Sequence, residues 1–328
     1  MIDTQNLHKL PTLIRYYILV STTEAKSGHP TSSLSAVELM TTLMFGGFFK
    51  AKLDDPNYHN NDRLIFSKGH ASPLFYAIYG AAGKLTEEEL KTLRKYDSPL
   101  EGHPTMRFPY TEAATGSLGQ GLSVGLGMAL NAKYLDKLPY KTFVLLGDSE
   151  MAEGSNWEAI QVAAHYKLDN LIGIIDTNRL GQRGETMYGH DVEAYAKRVG
   201  AFGWETIVID GHNLEDVSSA FEKAQLVKEK PMMIIAKTQK GKGVSFLEGQ
   251  EGWHGKALSK EECEKALSEI GEVNTQIIGV VSPPELIEKK VEEHSNTITS
   301  LYKSGELVAT RKAYGDSIAQ LTKQNTNI

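Results

Sequence analysis

Thr142-Phe143-Val144-Leu145-Leu146-Gly147-Asp148-Ser149-Glu150 is a short apolar run that stops abruptly in glycine and a polar cluster. A run of this length, bounded by turn-forming residues, reads as a strand buried on both faces. Three more runs share the pattern: Leu171-Ile172-Gly173-Ile174-Ile175, Thr206-Ile207-Val208-Ile209 and Met232-Met233-Ile234-Ile235-Ala236. Helix-length segments separate them, and Asn156 to Tyr166 and Leu214 to Val227 repeat apolar residues near a 3.6-residue period. This alternation predicts an α/β fold, a mostly parallel sheet with helices on both faces.

Working outward, Leu13 to Glu24 predicts a largely buried helix, ended by Ser27-Gly28-His29-Pro30 before a second helix beginning near Ser35. After about Ile270 the composition shifts to Ser282-Pro283-Pro284, a charged helical stretch Glu285-Glu293 and Ser295-Asn296-Thr297. That predicts a main domain over 1–270 and an interdomain linker over 271–308. Residues 309–328 then read as the truncated start of a second domain. The sequence ends at Ile328, which sets the expectation that the remainder of that domain is missing.

With 328 residues, 41% of them hydrophobic and 23% charged, the chain buries a substantial core without cross-links. Its formal net charge of -6 gives no basic footprint for nucleic acid, and no Lys/Arg block suits an anionic membrane. Anionic ligands must therefore be held by local devices. The single Cys263, inside the charged run Lys260-Glu261-Glu262-Cys263-Glu264-Lys265, reads as a free surface thiol in a reducing compartment. The apolar stretch Tyr16-Val20 is too short for a signal or spanning segment, which leads to an expected cytoplasmic location.

Two polar clusters follow strands: Gly147-Asp148-Ser149-Glu150 and Asp176-Thr177-Asn178-Arg179-Leu180. Ligands of open α/β sheets bind outside the carboxyl ends of strands. Asp148, the Asn178 amide oxygen and a nearby carbonyl suit a hard cation such as magnesium, although such residues are also ordinary turn formers. Ala114-Thr115-Gly116-Ser117-Leu118-Gly119-Gln120-Gly121 opens a glycine-spaced helix running through Gly125 and Gly127. Its N–H groups suit an anion, and the same glycines equally suit close helix packing. The glycines fall as GxxGxG, so this is no dinucleotide fingerprint. His29, His70, His103 and His254 each adjoin glycine, as do His190 and His212. On loops, imidazoles exchange protons near neutral pH and bond to hydroxyls, and their spacing forms no zinc motif.

Taken together, these segments resemble transketolase of the thiamine-diphosphate family. The matching words are Ser27-Gly28-His29-Pro30-Thr31-Ser32, Ser67-Lys68-Gly69-His70-Ala71, Leu100-Glu101-Gly102-His103-Pro104 and Ala114 to Gly121. They continue through Leu145-Leu146-Gly147-Asp148, Leu168-Asp169-Asn170-Leu171, Asn178-Arg179-Leu180-Gly181-Gln182, Ala201-Phe202-Gly203-Trp204, Asp210-Gly211-His212 and Trp253-His254-Gly255-Lys256. The order is collinear from about residue 10 to residue 260, and Ala309 to Gly315 is similar to the opening of that family's aminopyrimidine-binding domain.

The resemblance implies the diphosphate-binding half of a thiamine-diphosphate site. Asp148, Asn178 and the Leu180 carbonyl match ligands of Mg2+, or of Ca2+ or another divalent cation. Ser32, His70, Gly116, Leu118, Ser149, Asn178, Lys240 and His254 match cofactor contacts. His29, His103, His254 and Arg311 match substrate contacts, and His29, His70, His103 and His254 would move protons. Gln182 and Glu153 match polar positions near the cofactor, the latter coupling the two sites of a dimer. The implied reaction moves a two-carbon ketol unit from xylulose 5-phosphate to ribose 5-phosphate. It would require the missing domains, in the same chain or a second one, in a homodimer or heterotetramer. The alternative is a non-catalytic cofactor-binding or regulatory module that dimerises with an intact relative. One departure stands out: the family's Gly-Asp-Gly reads Gly147-Asp148-Ser149, a change expected to be tolerated because serine is small.

Overall fold

The computed structural model describes residues 7–288 and 301–324. They fall into two compact units, one ending at Glu285 and the other beginning at Leu286.

Five parallel strands build the sheet of the first unit: β1 (Arg63–Phe66), β2 (Thr142–Gly147), β3 (Leu171–Thr177), β4 (Glu205–Asp210) and β5 (Met232–Lys237). Their spatial order is β1-β2-β3-β5-β4, with every pairing parallel. The four apolar runs thus form the expected strands, with ends moved by one or two residues. Strand β1 is an addition: Arg63-Leu64-Ile65-Phe66 is too short to announce itself.

Alternate residues of each strand enter different cores because side chains change face at every residue. Phe143, Leu145, Ile172, Ile174 and Ile234 join one apolar cluster, while Val144, Leu146, Leu171, Ile175 and Ile235 join the other. The first cluster is covered by α1 (Leu10–Ala25), α3 (Val37–Phe45), α4 (Ser72–Ala81) and α9 (Leu214–Leu226). The second is covered by α6 (Gly121–Leu130), α7 (Gly154–His165) and α8 (Val192–Ala201). The helix expected near Ser35 is α3, which begins at Val37, and the short α2 (Pro30–Leu34) is an addition: Pro30 fits its first turn, where its missing N–H costs nothing. A further short helix, α5 (Glu87–Leu90), starts at a Thr86/Glu89 capping box.

The sequence reading of Cys263 requires correction. Helix α10 (Lys260–Ile270) turns its charges to solvent and buries Cys263 with Ala266, so the thiol is not on the surface. Residues 271–285 are bonded to the first unit: Ala51 N donates to Ser282 O, and Gly279 N donates to Ala81 O. The expected helix over Glu285-Glu293 and the Ser295-Asn296-Thr297 stretch fall largely or wholly outside the described residues, and 285–288 are not helical. The second unit carries α11 (Thr310–Gln324), with Arg311 exposed in its first turn. Among the described residues, no helix is long and apolar enough to cross a membrane.

Candidate functional site

Register decides where the polar clusters meet. Gly147 of β2 lies beside Asp176 of β3, so Asp148 and Asn178 emerge from neighbouring strands at the same edge of the sheet. The Asp148 carboxylate accepts from Ser149 N at 2.9 Å and Arg179 N at 2.7 Å, closing the two strand ends onto one another. Burial and the nearby Asp176 carboxylate push Asp148 up to about 6. Asn178 Oδ1 accepts from Leu180 N at 3.2 Å. Ser149 has an ordinary negative φ and opens a 3-10 turn, so a side chain there costs no backbone strain. Its Oγ lies 3.0 Å from where a Cβ on Gly181 would sit, so glycine at 181 makes room for serine at 149.

Lys240 links this edge to the histidines. Its ammonium donates to Leu180 O at 2.9 Å, Gly181 O at 3.2 Å and His254 Nδ1 at 2.9 Å. With three donors directed at three acceptors, His254 carries its proton on Nε2. Burial and the neighbouring Lys68 lower Lys240 to about 8.

Four loops bring their histidines together. The His29 ring lies 5.2 Å from His70, 5.0 Å from His254 and 6.4 Å from His103, and His70 lies 5.2 Å from His254. Desolvation lowers all four, His29 to about 4 and His254 to about 3, so each is a neutral imidazole at pH 7. The other two glycine-flanked histidines are elsewhere and already engaged. His212 bonds to Glu38 at one nitrogen and to Gln239 N at the other, and His190 bonds to Thr238 O. His29 Nδ1, in contrast, is buried with no partner, and so is Ser32 Oγ.

Gly116 has φ +139°, and a Cβ there would sit 3.0 Å from the His103 ring. The loop therefore passes against the histidines only because residue 116 has no side chain. Leu118 remains part exposed beside it. At the helix start, however, Gly119 N donates to Glu150 Oε1 and Gly121 N to Ser67 Oγ. Those N–H groups are used internally rather than presented to an anion. Gly121 and Gly125 serve close packing instead, against Ser67 and Val144.

Two buried polar centres escaped the sequence reading. Lys68 is paired with Asp176, and also donates to Ser32 O at 2.9 Å and Ser35 Oγ at 3.2 Å. Asp176 in turn accepts from Ser35 Oγ, Thr238 Oγ1 and Asn178 Nδ2. Glu150 holds Ser67, Gly119 and Gly147. The available signal was a charged residue just inside or just after a buried strand, a costly placement without partners. Glu153 and Gln182 are exposed, and Arg311 belongs to the second unit.

Residues 8–322 match the family model described as transketolase, thiamine diphosphate binding domain. The chain belongs to the transketolase family. It is 45% identical over 325 residues to the transketolase of Pongo abelii, covering 97% of this chain and 52% of that protein. It is 41% identical over 249 residues to an apulose-4-phosphate transketolase subunit of Phocaeicola vulgatus, covering 76% of this chain and 88% of that one. The crystal structure of transketolase from Campylobacter jejuni superposes with a TM-score of 0.77 at 34% identity, covering 85% of this chain and 44% of that one. The chain therefore spans about half the length of full-size family members, and its sheet with flanking helices is the family's cofactor-binding fold.

The residues fit thiamine diphosphate. Unpartnered Ser32 Oγ and His29 Nδ1 and the cradle at Gly116 are places where a ligand supplies what the protein leaves out. Among the described residues no group of three or more His, Cys, Asp or Glu side chains is arranged to hold a metal. A hard-cation site with one carboxylate, one amide oxygen and one carbonyl is of a different kind.

Proposed function

We propose that this chain supplies the diphosphate- and metal-binding half of a ketol-transferring enzyme that moves a two-carbon unit from xylulose 5-phosphate to ribose 5-phosphate. The carrying observation is the convergence of His29, His70, His103 and His254, joined through Lys240 to the strand ends bearing Asp148 and Asn178. Asp148, Asn178 and the Leu180 carbonyl would hold Mg2+ or another divalent cation. Ser32, His70, Gly116, Leu118, Ser149, Asn178, Lys240 and His254 would hold thiamine diphosphate. Bound there, that cofactor would supply the electron sink needed to break and make the carbon–carbon bond.

The chain's own contribution is orientation and proton traffic. Neutral imidazoles can both donate to and accept from sugar hydroxyls, and His29 Nδ1 has its hydrogen-bonding capacity entirely free. His254, held by Lys240 with its proton on Nε2, would present a donor to the substrate. Arg311 would contact the sugar phosphate from across the subunit interface of a dimer. We place the chain in the cytoplasm, working as a dimer or heterotetramer with the portion of the family protein it does not span. The Phocaeicola relative is by name one subunit of an enzyme, and this chain covers most of it, which supports a two-chain arrangement.

Calorimetric titration should show thiamine diphosphate binding that strengthens with Mg2+. Adding a polypeptide carrying the remaining family domains should yield ketol transfer that His29→Ala abolishes. Binding without transfer would favour the non-catalytic module; no binding at all would overturn both.

A further inference from the structure

Arg94 stands between the His29 and His103 loops without belonging to either. Its backbone takes φ +61°, a left-handed conformation that side chains other than glycine rarely adopt, and its N–H donates to Leu100 O at 2.8 Å. This turn delivers the guanidinium to two places at once. Nη1 donates to Ser27 Oγ at 2.7 Å, two residues before His29. The same group lies across the backbone of Gly102, next to His103: a Cβ on residue 102 would fall 2.4 Å from Nη2 and 2.6 Å from both Cζ and Nε. No side chain is compatible with that approach. Among the described residues no carboxylate pairs with Arg94, so its charge is not neutralised locally.

We propose that Arg94 is a positioning residue for the histidine cluster, tying the Ser27–His29 loop to the Gly102–His103 loop and fixing the separation of the two imidazoles. This inference rests on the reading that those imidazoles face substrate. A short bond to one loop and a flat contact on the other make a brace whose length is set by the rigid guanidinium plane. A lysine would carry the charge without the brace.

The charge has its own consequence. His29 is faced by Arg94, Lys240 and Lys68 and by the rings of His70, His103 and His254; His103 is faced by Arg94 and His29. Arg94 is the cation acting on both. It therefore helps burial keep both imidazoles uncharged, in the form that can accept a proton from a hydroxyl.

The test is carried out on the purified chain by NMR titration of labelled histidines, which needs neither cofactor nor turnover. Arg94→Ala should raise the midpoints of His29 and His103 while leaving His190 unchanged, since Arg94 does not act on His190. Arg94→Lys should leave the midpoints nearer to wild type, yet raise the KM for the sugar substrates about tenfold in the reconstituted enzyme, with a smaller change in kcat. Ser27→Ala, which removes one end of the brace and keeps the charge, should follow Arg94→Lys and serves if Arg94→Ala does not fold. Shifted midpoints in an enzyme without ketol transfer would sink the functional reading and keep the electrostatic role. Unmoved midpoints in Arg94→Ala, or normal KM values in both Arg94→Lys and Ser27→Ala of an active enzyme, would overturn the brace.

Discussion

Lys68 Nζ is bonded to Asp176 Oδ2 at a point where the two side chains are 2% and 0% exposed. The pair ties the loop after β1 to the end of β3, and Asn178 Nδ2 bonds to the same Asp176 oxygen. Charges this deep are tolerated only as a satisfied set. Lys68→Met should cost about 3–5 kcal/mol of unfolding free energy, because it leaves the Asp176 carboxylate without its cation. Combining it with Asp176→Leu should recover part of that loss. Urea unfolding of both variants checks this, and a double variant less stable than Lys68→Met alone would contradict it.

Glu150 plays the equivalent part for the glycine loop. Oε1 takes Ser67 Oγ and Gly119 N, and Oε2 takes Gly147 N at 3.1 Å. A glutamine has one acceptor oxygen for these three donors, and its amide would point N–H at N–H. Glu150→Gln should therefore lose about 1–3 kcal/mol, the cost of leaving a buried donor unmade. Exchange of the Gly119 and Gly147 amide hydrogens should accelerate before that of the β3 amides; uniform acceleration would mean the carboxylate is not the local tie.

Strands β2, β3 and β5 were legible because burial on both faces leaves a signature of uninterrupted apolar residues, whereas the edge strand β4, only partly buried, still announces itself through Ile207-Val208-Ile209. The loops carrying His29, His70, His103 and His254 were legible through their glycines and prolines. What composition concealed was direction. The charges around Cys263 occupy one face of α10, and a linear reading cannot see that Cys263 and Ala266 occupy the other. Lys68 and Asp176 are separated by 108 positions, so nothing local marks them as partners. The same holds for Gly119 and Glu150, whose bond converts an apparent anion site into an internal tie.

Two glycines of α6 should respond oppositely to alanine. A Cβ on Gly125 would lie 2.6 Å from Val144 Cγ2, whereas a Cβ on Gly127 meets nothing within 4 Å. Gly125→Ala should cost about 1–3 kcal/mol through overpacking against β2. Gly127→Ala should gain about 0.5–1 kcal/mol, since glycine wastes backbone entropy inside a helix. Thermal melts of the two variants decide it, and a destabilised Gly127→Ala would show that this face of the helix is not open.

Acid sensitivity should arise first from the histidine cluster. His29 titrates near 4 in the fold, chiefly because burial disfavours its charge, against an ordinary value of 6.5. Between those values the unfolded chain binds a proton at this position that the folded chain refuses, so unfolding becomes easier as pH falls through the window. Above about 6.5 both states are neutral, and below about 4 both are charged, so the slope vanishes outside the window. His254, lowered to about 3, extends the same trend to lower pH. His29→Gln removes the first of these contributions. Between pH 7.5 and pH 4.5 the parent chain should lose about 1 kcal/mol more stability than the variant, a figure kept below full linkage because the ring is part exposed. Guanidinium unfolding of both proteins at the two pH values measures the difference directly. Equal losses would mean that His29 takes up its proton in the folded chain as readily as in water, and that the ring is not held neutral by its surroundings.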